Sequence, residues 1–235
     1  MMVADIEVLV VRKKIKNLNL TVSPPDGRVR VSVPTHVPDK TVREFMLSKM
    51  SWIKEHQAHY QAQPRPPQQV MITGESHYLW GKPYRLEVIE RWGKHEVRIT
   101  EGAHLRMYVK PKTTQANREK VLDDWYRVEM KERLPGLIAK WEAIIGKQVS
   151  EWRIKKMKTR WGSCNVKAKR IWFNLELAKR PPECLEVILV HEMVHLLERG
   201  HNKRFYRYMD QFMPGWRSSR DLLIRSSPAD GNWTY

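Results

Sequence analysis

Residues 187–201 read VILVHEMVHLLERGH, and this stretch carries the pattern that decides the fold. On an α-helix, positions i and i+4 differ by about 40° of rotation, so His191 and His195 project from one face, one turn apart. Two imidazoles in this arrangement can bind one Zn²⁺, and Glu192 lies beside them as a candidate general base. The spacing therefore predicts a helix that carries a metal site.

The predicted site has a candidate for its third ligand. A catalytic zinc has three protein ligands and one open position for water. His201 can supply the third, because it follows Gly200, where the helix is expected to end and the chain can turn back. The alternative is three ordinary histidines at a polar helix end. The apolar run 187–190 argues against it, since a buried helix with imidazoles and a carboxylate needs partners for them.

The composition limits the classes of protein that this chain can belong to. It has 235 residues, 41% of them hydrophobic, which is enough for a substantial core. The longest apolar runs are four residues, so we expect no membrane segment and no signal peptide. The two cysteines, Cys164 and Cys184, form no C-x-x-C pair, which favours a reduced, cytoplasmic protein. The net charge of +17 predicts an anionic partner.

Periodicity divides the chain into two regions. The first, residues 1–62, is predicted to form a β-hairpin followed by one helix, because alternating strands are succeeded by a helical stripe. Residues 61–69 contain three prolines and four glutamines and are predicted to be an extended connector. The second region, residues 75–235, is predicted to hold the metal site, and the two regions together can form one integrated domain.

The second region alternates between strand and helix patterns. Strands are predicted over 76–109, and a helical region over 115–145 that Pro135-Gly136 should kink or split. Residues 151–177 are predicted to form a β-hairpin whose connector is 160–165. Helices are predicted to follow over the motif, over 202–212 and over 216–224. This order indicates an α+β fold.

Several segments together resemble a known family. They are KMKTRWGSCN (156–165), IWFN-x-x-L (171–177), VILVHEMVHLLERGH (187–201), Arg204-Phe205 and Pro214-Gly215-Trp216. In these the chain is similar to the YgjP-like family of predicted metal-dependent hydrolases, which is related to the WLM and SprT-like zinc metallopeptidases. The resemblance implies a zincin-like, gluzincin-type core, in which a mixed β-sheet lies next to the HExxH helix. It places the family's metal ligands on His191, His195 and His201, and its catalytic glutamate on Glu192.

The chain departs from the family pattern at three positions around the third histidine. The family usually has Asn before this histidine and Ser after it, where this chain has Gly200 and Asn202. Tyr206 stands where a Trp commonly follows the Phe. None of these changes removes a ligand.

Candidate substrate contacts lie in two places. Arg160 and the backbone N–H groups of Gly162 and Ser163 can face an oxyanion or an anionic substrate, with Trp161 beside them. The alternative is a tight turn in which the glycine satisfies the backbone angles and the tryptophan packs in the core. Tyr206 can hydrogen-bond a transition state, whereas its neighbours on the same helix form a core face. A strand at 152–158 or 171–175 can pair with an extended peptide.

The predicted 153–170 hairpin is also the most basic part of the chain. It contains eight Lys or Arg and no acidic residue, and the tryptophans at 152, 161 and 172 lie within it or beside it. Such a composition is typical of single-strand nucleic-acid surfaces, but also of a solvated hairpin face with its tryptophans inward.

The function that we expect is that of a zinc metallopeptidase with one Zn²⁺ per chain, acting on a protein or peptide. Glu192 would activate the water. The alternatives are a metal-dependent nucleoside triphosphate pyrophosphatase and a nucleic-acid-associated protease of SprT-like type. No Gly-rich phosphate loop supports the former.

Overall fold

The computed structural model describes residues 1–23, 26–62 and 69–226, except the side chains of residues 59–62. These residues form two compact units, one on either side of segment 63–68. Each unit has its own hydrophobic core. The predicted connector, 61–69, lies mostly outside the described residues.

The first unit is a four-stranded mixed sheet with two helices. Alternate strand residues, such as Val29, Val31 and Val33, share its core with the helix residues Val42 and Met46. The strand order is β1-β2-β4-β3. The elements are β1 (Met2–Val3), β2 (Ile6–Lys13), β3 (Asn19–Ser23), β4 (Arg28–Pro34), α1 (Asp39–Ser48) and α2 (Met50–Ala62).

The prediction for the first unit was incomplete. The expected hairpin is present as the antiparallel pair β3–β4, but β2 adds to it in parallel and brings Val8 opposite Val29. The prediction of a single helix was wrong, because the region forms α1 and α2. The region is interrupted at Lys49, whose backbone leaves the helical region at φ −105° and ψ 7°.

The second unit begins with another four-stranded mixed sheet and a long helix. The strands are β5 (Ser76–Leu79), β6 (Lys82–Glu90), β7 (Glu96–Thr100) and β8 (His104–Val109), in the order β5-β6-β8-β7. Every second residue of β8 is buried. These residues share one core with the buried stripe of helix α3 (Gln115–Ile145), which includes Leu122, Tyr126 and Met130.

Of the predicted kink or split at Pro135-Gly136, the split was wrong, since α3 is one continuous helix. Proline removes the hydrogen bond to the carbonyl of Lys131, and both residues are exposed, so that water can satisfy this carbonyl. Leu134 and Ile138, which precede and follow the proline along the helix, are buried. Tertiary packing on both sides of the proline therefore holds the two halves together.

The prediction of a hairpin over 151–177 was also wrong in its pairing. The strands β9 (Glu151–Lys155) and β11 (Arg170–Asn174) run parallel, and β10 (Gly162–Asn165), expected to be a connector, pairs antiparallel with β11. The sheet order is β10-β11-β9. The true hairpin is β10–β11. Its turn is closed by Asn165 Oδ1, which accepts a hydrogen bond from the Ala168 N–H at 3.0 Å, and by Lys169 at φ 45°.

The remaining elements follow the sequence prediction closely. A short 3-10 helix (Leu175–Lys179) leads into α4 (Pro182–Val194), α5 (Lys203–Phe212) and α6 (Trp216–Ser226). The motif helix α4 is buried around most of its circumference and packs against β10 and β11 as well as α3, α5 and α6. The predicted α+β class and the mixed sheet beside the motif helix are thus confirmed. Among the described residues, no helix has the length and apolarity needed to cross a bilayer.

Candidate metal centre

Helix α4 brings the two motif histidines to one place. His191 is buried and His195 is half-buried at the helix end, where its N–H reaches the His191 carbonyl at 3.3 Å. Their ring centroids lie 4.9 Å apart, as expected for positions i and i+4. The predicted arrangement of the motif is therefore present.

His201 reaches the same place from the segment between α4 and α5. Its Nε2 lies 2.9 Å from His191 Nε2. The next residue, Asn202, begins α5 as an N-cap, and its Oδ1 accepts hydrogen bonds from the N–H groups of Arg204 at 3.0 Å and Phe205 at 3.1 Å. The Asn that departs from the family pattern thus anchors the segment that carries His201.

The three histidines converge on one point. One ring nitrogen from each of His191, His195 and His201 lies within 4.8 Å of the others, close enough for a single ion to contact all three. Phe205 is fully buried beneath them, with ring centroids 4.8–4.9 Å from every imidazole. Its ring restricts the directions in which the imidazoles can turn, because interiors are close-packed.

His191 and His195 are held in the form that binds a cation. Burial, together with the neighbouring His195 and His201, lowers the pKa of His191 to about 3. Burial also lowers the pKa of His195. His195 Nδ1 lies 3.1 Å from the Glu198 carbonyl, which can only accept, so Nδ1 carries the proton and Nε2 keeps its lone pair. The donor set fits a borderline-soft divalent metal.

Glu192 is buried next to the histidines and has a perturbed carboxyl group. It is 6% exposed. Burial raises its pKa to about 8, and the positive charge of Arg160 acts in the opposite direction. A carboxyl group whose pKa lies near neutrality can both accept and release a proton at physiological pH.

A cavity of about 340 Å³ opens onto these groups. Its walls are formed by the three histidines (the triad), by Glu192 and by the segment that precedes and includes β10. The lining residues are Arg160, Trp161, Gly162, Ser163, Cys164, Val166, Ile188, His191, Glu192, His195, Arg199 and His201.

The structure brings four of the five candidate substrate residues to the cavity. Arg160 is exposed at its margin, whereas Trp161 is 2% exposed and belongs to the core as well as to the cavity wall. Tyr206 is not among the lining residues. Its ring is stacked on that of Trp216, with centroids 6.0 Å apart and 15° between the planes. This position gives Tyr206 a packing partner away from the triad.

Gly162 lies so close to Glu192 that only glycine, which has no Cβ, fits at this position. A Cβ at this position would stand 2.5 Å from Glu192 Oε1, 2.8 Å from Glu192 Cγ and 2.8 Å from Ile188 Cγ2. Gly162 is not among the residues with positive φ. The glycine is therefore needed for space and not for its backbone angles, which corrects the turn interpretation.

The open edge of the sheet beside the cavity is β10. The strand β11 has partners on both sides, so residues 171–175 offer no edge to a peptide, and β9 is the edge away from β10. The Asn174 N–H donates to the Trp161 carbonyl at 2.9 Å. Antiparallel pairing alternates, so Ser163 also points its backbone groups at β11, while Gly162 and Cys164 point theirs outward.

Two residues that contribute to the site were not predicted. Arg199 lines the cavity four residues after His195, in the turn between two of the histidines, and that proximity was the only signal. Asn174 is fully buried, and its side chain binds the backbone of the segment that precedes Gly162. Its Nδ2 donates to the carbonyls of Met157 at 3.0 Å and Arg160 at 2.8 Å. A buried Asn at the end of a strand indicates a side chain that hydrogen-bonds nearby backbone groups.

The basic segment 153–170 is partly neutralised. Arg153 and Arg170 both pair with Glu151, and Lys156 pairs with Asp123. The other five cations form no ion pair within the described part of the chain, and they are Lys155, Lys158, Arg160, Lys167 and Lys169. Nucleic-acid binding by this segment stays a prediction.

Comparison with known proteins assigns the chain to a family. A structural similarity exists to the crystal structure of the metallopeptidase zymogen of Pyrococcus abyssi abylysin, with 24% identity and a TM-score of 0.35, over 39% of this chain and 89% of that one. A TM-score this low does not establish a shared fold. The curated proteins include no match. The YgjP-like metallopeptidase domain matches residues 16–226, which is most of the chain. The chain therefore belongs to the YgjP-like metallopeptidase family.

Proposed function

We propose that this protein is a zinc-dependent metallopeptidase with a zincin-like, gluzincin-type core. The observation that carries the proposal is the convergence of three imidazole nitrogens within 4.8 Å, in a cavity that also contains Glu192. A metal site with nearby general-base chemistry is what hydrolysis of a peptide bond requires.

His191, His195 and His201 would hold one metal ion per chain. Three neutral imidazoles favour zinc, and the hydrogen bond from His195 Nδ1 to the Glu198 carbonyl orients one of them. When bound, Zn²⁺ supplies Lewis-acid polarisation of a carbonyl and lowers the pKa of water.

Glu192 would be the general base. Its carboxylate would take a proton from the attacking water and deliver it to the leaving amine. The ionised form is favoured by Arg160, and a cation held by the triad would favour it further. Burial, which raises the pKa, would help the carboxyl group to hold the proton between the two transfers.

The edge strand β10 would hold the peptide. Gly162 and Cys164 present their outward N–H and C=O groups next to the cavity, so an extended substrate could add to the sheet there. The N–H of Gly162, a residue packed against Glu192, is a candidate for contacting the substrate carbonyl.

The test compares Glu192→Gln with Glu183→Gln. Glu183 is an exposed acid on the same helix and outside the cavity, which makes it a matched control. Each protein is stripped of metal, reloaded with zinc and assayed for metal content and for cleavage of a peptide library. We expect Glu192→Gln to bind zinc like the wild type and to lose activity by about 10²-fold or more.

The control variant should cleave at the wild-type rate. An active Glu192→Gln protein would exclude the general-base assignment. Wild-type protein that contains zinc but cleaves no peptide would argue against the metallopeptidase function as a whole.

A further inference from the structure

Two arginines, Arg160 and Arg199, line the cavity. Arg160 precedes β10, and Arg199 lies in the turn between α4 and α5. Both are exposed. Within the described ranges, neither guanidinium forms an ion pair or a hydrogen bond, although Arg160 is near enough to Glu192 to lower its pKa.

Some neighbouring arginines have partners within the protein. Arg153 and Arg170 share Glu151, and Arg204 donates to the Tyr208 hydroxyl at 3.2 Å. Among the residues that line the cavity, the only acidic one is Glu192. Since that carboxyl group is buried, the two guanidiniums supply the exposed side-chain charge of the cavity, in addition to the charge of the metal ion that the proposed function requires.

We infer that the cavity selects a peptide that carries a carboxylate close to the scissile bond, held by Arg160 and Arg199. This inference rests on the proposed peptidase function and names its substrate class. The planar guanidinium donates two parallel hydrogen bonds to a carboxylate, which gives direction as well as charge attraction.

The carboxylate can come from two sources. An acidic side chain beside the scissile bond would make the enzyme an endopeptidase with acidic preference. The α-carboxylate of a chain end would make it a carboxypeptidase. Both carry the same group at a similar distance from the scissile carbonyl, so the distinction is left to the experiment.

The experiment measures kcat/KM of the zinc-loaded protein for pairs of peptides that differ only by Glu against Gln at the positions flanking the cleaved bond. Each pair is made with a free and with an amidated C-terminus. The variants are Arg160→Gln, Arg199→Gln and the double variant. Lys94→Gln is the charge control, because Lys94 is exposed in the turn between β6 and β7 and does not line the cavity.

We expect the wild type to prefer the Glu peptide, or the free terminus, by about tenfold. The ratio should fall to about one in the double variant and stay at the wild-type value in Lys94→Gln. Zinc content and the thermal transition of each variant identify a loss that is due to misfolding. In that case the ratio, which a uniform loss of active protein does not change, still decides the question.

Three outcomes overturn the inference. Equal cleavage by the wild type of Glu and Gln peptides, and of free and amidated C-termini, would do so while leaving the peptidase function intact. If no peptide is cleaved, the proposed function fails, and the carboxylate preference is then measured by calorimetric titration of the same uncleaved peptides. Equal affinity for both peptides, or hydrolysis of ATP that the double variant abolishes, would refute a carboxylate-selective peptide site.

Discussion

Gly162 and Glu192 are in direct contact across the gap between a strand edge and the motif helix. A hypothetical Cβ on Gly162 would lie only 2.5 Å from Glu192 Oε1, whereas real Cβ atoms stay beyond 3.0 Å. The backbone of β10 therefore forms one wall of the pocket that holds this carboxyl group. Burial by that wall contributes to the raised pKa of Glu192.

The first prediction is that Gly162→Ala separates metal binding from turnover. The added methyl group must displace Glu192 or the strand, because Ile188 Cγ2 closes the other side at 2.8 Å. Overpacking of this kind costs about 1–3 kcal/mol of unfolding free energy. We expect zinc content near that of the wild type and activity lower by about 10²-fold, since small displacements of catalytic groups have effects of that size.

The matched control for this variant is Gly136→Ala. A Cβ at Gly136 meets nothing within 4 Å, and the residue lies inside α3. Alanine should therefore stabilise the helix by about 0.5–1 kcal/mol and leave activity unchanged. A fully active Gly162→Ala enzyme would show that the contact with Glu192 is not needed for turnover.

The second prediction concerns Asn174, which holds the segment leading to the cavity. Besides its two donated bonds, its Oδ1 accepts from the N–H groups of Met157 and Glu176, both at 3.2 Å. Replacing it with Ala leaves buried backbone groups without partners, which costs about 2–4 kcal/mol. We expect urea denaturation to show this loss, and kcat/KM to fall because Arg160 and Gly162 are less well placed.

Asn165→Ala is the control for the Asn174 variant. Asn165 is exposed and makes one turn hydrogen bond to the Ala168 N–H. Its replacement should cost about 1 kcal/mol or less. If the two variants lose similar amounts of unfolding free energy, the buried hydrogen bonds of Asn174 have no special role.

The third prediction is that metal removal lowers the thermal stability of the protein. An ion that binds only the folded state adds RT ln(1 + [L]/Kd), which is about 2.7 kcal/mol at one hundred times Kd. Scanning calorimetry with and without added zinc measures this. His201→Ala should bind zinc more weakly and show a smaller shift. The control is His95→Ala, an exposed histidine outside the cavity, and an equal loss of the shift in this variant would contradict the triad assignment.

The metal centre was predictable because its signal is local. His191 and His195 are related by helical geometry alone, and His201 follows within one turn and a short loop. The α4 core was equally predictable, since an apolar run of that length must be buried. In such cases the interaction partners are close in sequence, so the periodicity of the sequence predicts their contact.

The pairing of β10 could not be read from the sequence for a physical reason. Residues 162–165, GSCN, have weak strand propensity and resemble a turn, and they form a strand because β11 and α4 hold them there. The parallel pairing of β9 with β11 is likewise decided by tertiary contacts. Arg199 was missed because a lone arginine in a turn carries no periodic signal, and only the folded chain shows what it faces.

The last prediction tests how the third histidine is positioned. Asn202 caps α5 through two backbone N–H groups, and it directly follows His201. Asn202→Ala removes the cap and should cost about 1 kcal/mol of unfolding free energy. Because an uncapped first turn frays, His201 should spend less time beside His191, and zinc affinity measured by competition with a chelator should fall several-fold.

Asn202→Asp separates the cap from other effects of the substitution. Aspartate caps a helix as well as asparagine does and adds favourable charge at the N-terminus. We therefore expect Asn202→Asp to restore both stability and zinc affinity. If Asn202→Ala binds zinc as tightly as the wild type, the cap is not needed to position His201, and its contact with Phe205, at 4.8 Å between ring centroids, is the next candidate. In that case Phe205→Leu, and not the cap variant, should weaken zinc binding.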